Sequence, residues 1–128
     1  MIGKAKENFK GRENFHFIKA NAEEIPFEDD QFDIIICTNS FHHYLHPDKA
    51  LKEMYRLLKL GGKVYILDPP FDYWVFRQFS KAMHLFDQSE VNFFTSKKFE
   101  NIITHAGFRY VGNINVKKHE KVQVGEKL

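Results

Sequence analysis

"FDIIIC" (Phe32–Cys37) is followed, after a short loop, by "PDKALKEMYRLLKLGGKVYILD" (Pro47–Asp68), and this succession decides the fold. The first piece is apolar almost throughout. That pattern predicts a parallel strand covered on both faces, since a half-exposed strand alternates. Pro47 opens the next element, because its missing N–H is one of the unpaired donors at a helix start in any case. Leu51, Met54, Tyr55 and Leu58 fall at i, i+3, i+4 and i+7 and predict one buried helical stripe. Gly61-Gly62 is expected to end that helix with a left-handed cap. "KVYILD" (Lys63–Asp68) is the next strand, closed by Pro69-Pro70. Strand, helix and strand with short links predict an α/β fold with a parallel sheet and a right-handed crossover.

Outward from this unit the pattern continues. Ile2, Ala5 and Phe9 predict a helix over about residues 1–9, stopped by Gly11. "NFHFIKA" (Asn14–Ala20) predicts a short strand with Phe15 and Phe17 on one face. Toward the C-terminus, Thr95 or Ser96 caps a helix that turns Phe99, Ile102 and Ile103 inward and ends at Gly107. "FRYVGNINV" and "KVQVGEKL" alternate around a polar turn, so the sheet closes in an antiparallel hairpin. Between these lies "FDYWVFRQFSKAMHLFDQSEVNFF" (Phe71–Phe94). Phe76, Phe79, Met83 and Phe86 form a helical core stripe. Tyr73, Trp74, Phe93 and Phe94 fall outside it and suit either packing on the sheet or a lid over an apolar substrate.

The bulk numbers set bounds. A chain of 128 residues makes one domain, taken as 1–128, with 71–94 as an aromatic-rich lid or insertion. The mixed charge, net +2, argues against a dedicated nucleic-acid binder. Cys37 is the sole cysteine, which leaves no internal disulfide and no cysteine zinc site. No apolar run has the length of a membrane span, and "MIGKAKENFKGREN" is not a signal peptide. The default location is the cytoplasm. The 14 phenylalanines exceed what a core of this size needs.

Several stretches agree in order and spacing: "AEEIPF", "FDIII", the "HH" loop, "ALKEMYRLLKLGGKVYI" and "AGF". Together they resemble the second half of a class I S-adenosylmethionine-dependent methyltransferase, of the small-molecule group that includes quinone-biosynthesis C-methyltransferases. The resemblance implies a Rossmann-like methyltransferase sheet, truncated by the absence of strands one and two and ending in the antiparallel hairpin. It implies S-adenosylmethionine as cofactor and methyl transfer to a small molecule, and the spare aromatics of Phe71–Phe94 suit an apolar one. In this family an acid and a small residue after the third strand hold the adenine; the matching positions are Asn21 and Ala22. Asn21 departs from the usual aspartate, yet its amide still offers a donor and an acceptor. Glu23 beside them is either a rim contact or a solvated acid. Thr38, Asn39 and Ser40, at the end of the fourth strand, pass under the methionine and ribose portion.

His42 and His43 match the family's "HH" loop, and three readings compete. As metal ligands with His46 they lack a surrounding ligand set, and no metal is expected. As ring neighbours of the cofactor they need no special chemistry. As a general base, one of them, for which His43 is chosen, takes a proton from the substrate. Alignment and exclusion of water carry most of methyl transfer, so a site without a conspicuous constellation is expected.

The family's glycine-rich turn after the first strand, and the acid after the second, have no counterpart among seven scattered glycines. The resemblance therefore implies a chain beginning after those strands. They would sit between the third and fourth strands, in the order three, two, one, four, five, seven, six. The edge of "FDIIIC" is then free and is expected to pair with its own third strand, a second copy or a complementing N-terminal segment. Two functions follow: an incomplete catalytic domain of a methyltransferase, or a non-catalytic remnant that dimerises or binds a partner.

Overall fold

The computed structural model describes residues 2–68, 94–117 and 120–128. Helix α1 (Ile2–Asn8) is followed by an extended segment, strand β1 (Phe32–Thr38), a 3-10 turn (Phe41–His43), helix α2 (Pro47–Leu57) and strand β2 (Leu58–Asp68). Helix α3 (Ser96–His105) and strands β3 (Arg109–Lys117) and β4 (Glu120–Glu126) complete the described chain. The sheet order is β1-β2-β4-β3. β1 runs parallel to β2, and the hairpin inserts β4 antiparallel between β2 and β3. This is the order the resemblance implies for strands four, five, seven and six.

Local signals act as their chemistry requires. Pro47 stands at the start of α2, which buries Ala50, Leu51, Met54 and Leu57. Thr95 caps α3 by accepting the Lys98 N–H at 3.2 Å. Gly107 follows α3 with φ +106° and donates its N–H to Thr104. The core joins Leu51 and Met54 of α2, Val64 and Ile66 of β2, and Phe99 and Ile103 of α3. Gly125 of β4 lies so close beneath α3 that an added Cβ would sit 2.9 Å from Ile103 and 3.1 Å from Val64.

Three expectations need correction. The "NFHFIKA" segment is not a strand: its only nearby pairing is the isolated bridge Asn21–Glu24, and no strand among the described residues forms a ladder with it. Its rings still share a face, since Phe15 and Phe17 stack at 6.4 Å and close on Phe9, in the turn after α1. A strand needs ladder partners as well as alternation.

"FDIIIC" is covered on one face, not two. Ile35 packs on the core and Cys37 is buried, but Ile34 and Ile36 are 57% and 68% exposed. β1 is an edge strand here, and its second face meets no helix among the described residues.

The helix ends at Leu57, before the glycines; Leu58 is already extended. Gly61, with φ +78°, sits where the β1–β2 register slips, and it donates to the Lys127 carbonyl. Gly62 is needed for close approach, because a Cβ there would lie 2.8 Å from the Lys59 carbonyl. The pair thus sits at the register slip inside β2 and does not cap the helix.

Phe94 belongs to the core, packed between Phe41 and Phe99 at 5.4 and 5.0 Å. The rest of the stretch read as a lid or insertion lies outside the described residues.

Candidate functional site

In open α/β sheets ligands bind beyond the carboxyl ends of the parallel strands. Two such ends, those of β1 and β2, meet here. A groove of about 550 Å³ runs along the free edge of β1, between the strand and the extended segment before it. Ala22, Thr38 and Ser40 line it together with Ile18, Ile34 and Ile36. Three of the six proposed cofactor positions are therefore brought together.

The other three do different work. Asn21 makes a local turn, its Oδ1 accepting the Glu23 N–H at 3.1 Å, so its amide donors are the part left for a ligand. Glu23 pairs with His46, Oε1 to Nδ1 at 2.9 Å. Asn39 adopts φ +50°, a left-handed conformation asparagine tolerates, and its N–H extends the ladder to Leu67 at 2.8 Å. Asn39 does not line the groove.

The turn that carries Asn21 to Glu23 is held from α2. Arg56 donates to the carbonyls of Ile25 and Phe27 and to the Asp29 carboxylate. Glu53 accepts both Arg56 and the Ile25 N–H, the latter at 2.9 Å. Arg56 thereby holds the Glu53 carboxyl below its usual range. Glu53 and Arg56 lie three residues apart on the polar face of α2. The only sequence signal for the clamp was an acid and a base at that spacing, which is common on solvated helices.

At the end of β1 a small polar group forms. Cys37 Sγ lies 3.3 Å from Ser40 Oγ and 3.6 Å from Tyr44 Oη. Burial pushes the Cys37 thiol up and raises Tyr44 to about 12. Both side chains are neutral donors near pH 7.

The two adjacent histidines differ. Asp68, at the end of β2, is 3% exposed. Its Oδ2 accepts the His42 backbone N–H at 2.8 Å and lies 3.1 Å from His42 Nδ1. His43 packs its ring on His42, centroids 4.0 Å apart, and has no carboxylate partner among the described residues. His46 is engaged by Glu23, so the three imidazoles do not converge.

A family model described as a methyltransferase domain matches residues 1–66. The chain belongs to this family. It is 47% identical over 62 residues to the ubiquinone/menaquinone biosynthesis C-methyltransferase UbiE of Vibrio vulnificus, a match covering 46% of this chain and 24% of that protein. The UbiE of Brucella canis is 39% identical over 87 residues, covering 59% of this chain and 32% of that one. The solved YcgJ protein of Bacillus subtilis superposes with a TM-score of 0.75 at 32% identity, covering 90% of this chain and 50% of that one. The chain thus spans about a quarter to a third of the length of these curated relatives.

S-adenosylmethionine is the methyl donor of methyltransferases in this family. The groove fits one part of it. Ala22 leaves room for a flat base, apolar side chains line the walls, and the Thr38 and Ser40 hydroxyls stand at the strand end. No charged side chain lines the groove among the described residues, so the charged amino-acid end finds no ion-pair partner there. When bound, the donor would supply an activated methyl group.

Proposed function

We propose that this chain forms the adenine-side wall and floor of a methyl-transfer site acting on a small molecule. The observation that carries this is the groove along β1, where Ala22, Thr38 and Ser40 face one space at the strand ends. Asn21 contributes amide donors at its margin, and Glu23 and Asn39 hold the adjoining turns. The likeness to quinone C-methyltransferases supports an acceptor of apolar, ring-bearing type. No helix among the described residues is long and apolar enough to cross a membrane. The lone unpaired thiol of Cys37 suits the cytoplasm.

Titration calorimetry with S-adenosylmethionine and S-adenosylhomocysteine tests this reading. Binding at about 1 mM is expected of a wall and floor alone, a ligand free energy near −4 kcal/mol. Ala22→Leu should abolish it. Binding unaffected by Ala22→Leu would overturn the assignment of the groove.

A second reading has its own observation. The free edge of β1, with Ile34 and Ile36 exposed, favours a module that pairs this edge with a second copy or a complementing N-terminal segment. The two readings compete for one space, since strands set between residues 14–20 and β1 would occupy the groove.

A further inference from the structure

Asp68 is the one buried side-chain oxygen site among the described residues with an unpartnered atom. Its Oδ1 has no hydrogen-bond partner, while Oδ2 receives two from His42. An ionised carboxylate only accepts, so the ring nitrogen facing it, Nδ1, carries the hydrogen. In the neutral imidazole the lone pair then resides on Nε2. The side chain of His42 is 19% exposed, which leaves the ring partly accessible at the C-terminal ends of β1 and β2.

We infer that His42, oriented by Asp68 in the turn that follows the groove-lining Ser40, is the proton acceptor at the carboxyl ends of β1 and β2, in place of His43; it is not itself among the residues that line the groove. The ligand it implies is protic: a hydroxyl, or a carbon activated enough to release a proton. The X–H bond breaks, the proton bonds to Nε2, and the electron pair stays on X. The imidazolium keeps its Nδ1–H on Asp68 Oδ2 and later returns the proton to water. Asp68 is a positioning residue, since it acts through the ring. Calling X the methyl acceptor rests on the methyl-transfer reading above; the dyad and its basic nitrogen do not.

The bland alternative is that Asp68 pins the Phe41–His43 turn through the His42 backbone N–H alone. Nitrogen-detected histidine spectra of the full chain at neutral-imidazole pH separate the two. His42 is expected in the Nδ1–H form, and titration with 2-naphthol, a protic apolar probe, is expected to shift its Nε2 resonance upfield while His43 stays in place. Diethyl pyrocarbonate acylates unprotonated imidazole nitrogen, and Asp68→Asn should slow its reaction at His42 by about threefold or more while sparing His43. A hydrogen on Nε2, an Nε2 resonance unmoved by saturating 2-naphthol, or acylation indifferent to Asp68→Asn would each overturn the inference. If that variant loses its fold by circular dichroism, the naphthol titration of the unsubstituted chain decides. S-adenosylhomocysteine affinity is measured in parallel: its loss with the Nδ1–H form and naphthol response retained would sink the methyl-transfer reading and uphold the proton acceptor.

Discussion

Ile36→Lys probes the free edge of β1. Fully burying an isoleucine side chain stabilises by about 1.5–3 kcal/mol. Ile34 and Ile36, at 57% and 68% exposure, together leave a little more than one isoleucine's worth of surface uncovered. A partner that covers both gains about 2–4 kcal/mol per copy from this face. Removing one of the two loses about half, so a symmetric pair of copies loses about 2–4 kcal/mol. That weakens association roughly 30- to 1,000-fold. A lysine on an edge strand also opposes further pairing through its charge. Because Ile36 is exposed within one copy, the fold of that copy should change by no more than about 0.5 kcal/mol. Sedimentation velocity over a concentration series reads the association, and urea unfolding of dilute protein reads the fold. Hydrogen exchange at the β1 amides that point away from β2 gives an independent measure. The reasoning is refuted if the unsubstituted chain stays monomeric across the series with those amides exchanging at the rate of open peptide. It is equally refuted if Ile36→Lys leaves a measured association constant unchanged.

Tyr44, raised to about 12 by burial, keeps its proton in the folded chain after the unfolded chain has released it. Stability from this group is therefore fully present below pH 10 and falls as pH rises from about 10 to 12. Thermal melts across that window should show a shallower decline for Tyr44→Phe than for the unsubstituted chain. Gly125→Ala places a methyl group against Ile103 and Val64 and should destabilise by about 1–3 kcal/mol, read as a lower urea midpoint. Cys37 is buried and its thiol is pushed up by that burial, so it should react with a thiol reagent at pH 8 only as fast as the protein opens. Labelling as fast as that of free cysteine would contradict its placement.

Much of this molecule follows from signals carried by a few neighbouring residues. The start of α2 at Pro47, the Thr95 cap, the Gly107 stop and the alternation of the hairpin depend on backbone geometry and short-range hydrogen bonds. The sheet order also agreed with the resemblance, because "FDIII", the helix and "KVYILD" make one right-handed unit whatever lies beyond it. Groove residues were legible only in part: Ala22, Thr38 and Ser40 face it, whereas Asn21, Glu23 and Asn39 spend their polar groups on turns and ladder.

What one-dimensional pattern could not carry was the identity of neighbours across the fold. An apolar run states that a strand can be covered, but only the arrangement of other elements shows that one face of β1 is bare. "NFHFIKA" has strand chemistry and lacks a ladder, since hydrogen-bond partners come from elsewhere in space. Two adjacent histidines are equivalent on paper. The parallel pairing that brings the end of β2 beside the loop after β1 sets Asp68, 26 residues away, against His42 and leaves His43 outside. Charge pairs at that separation are set by register, and register is a property of the tertiary structure.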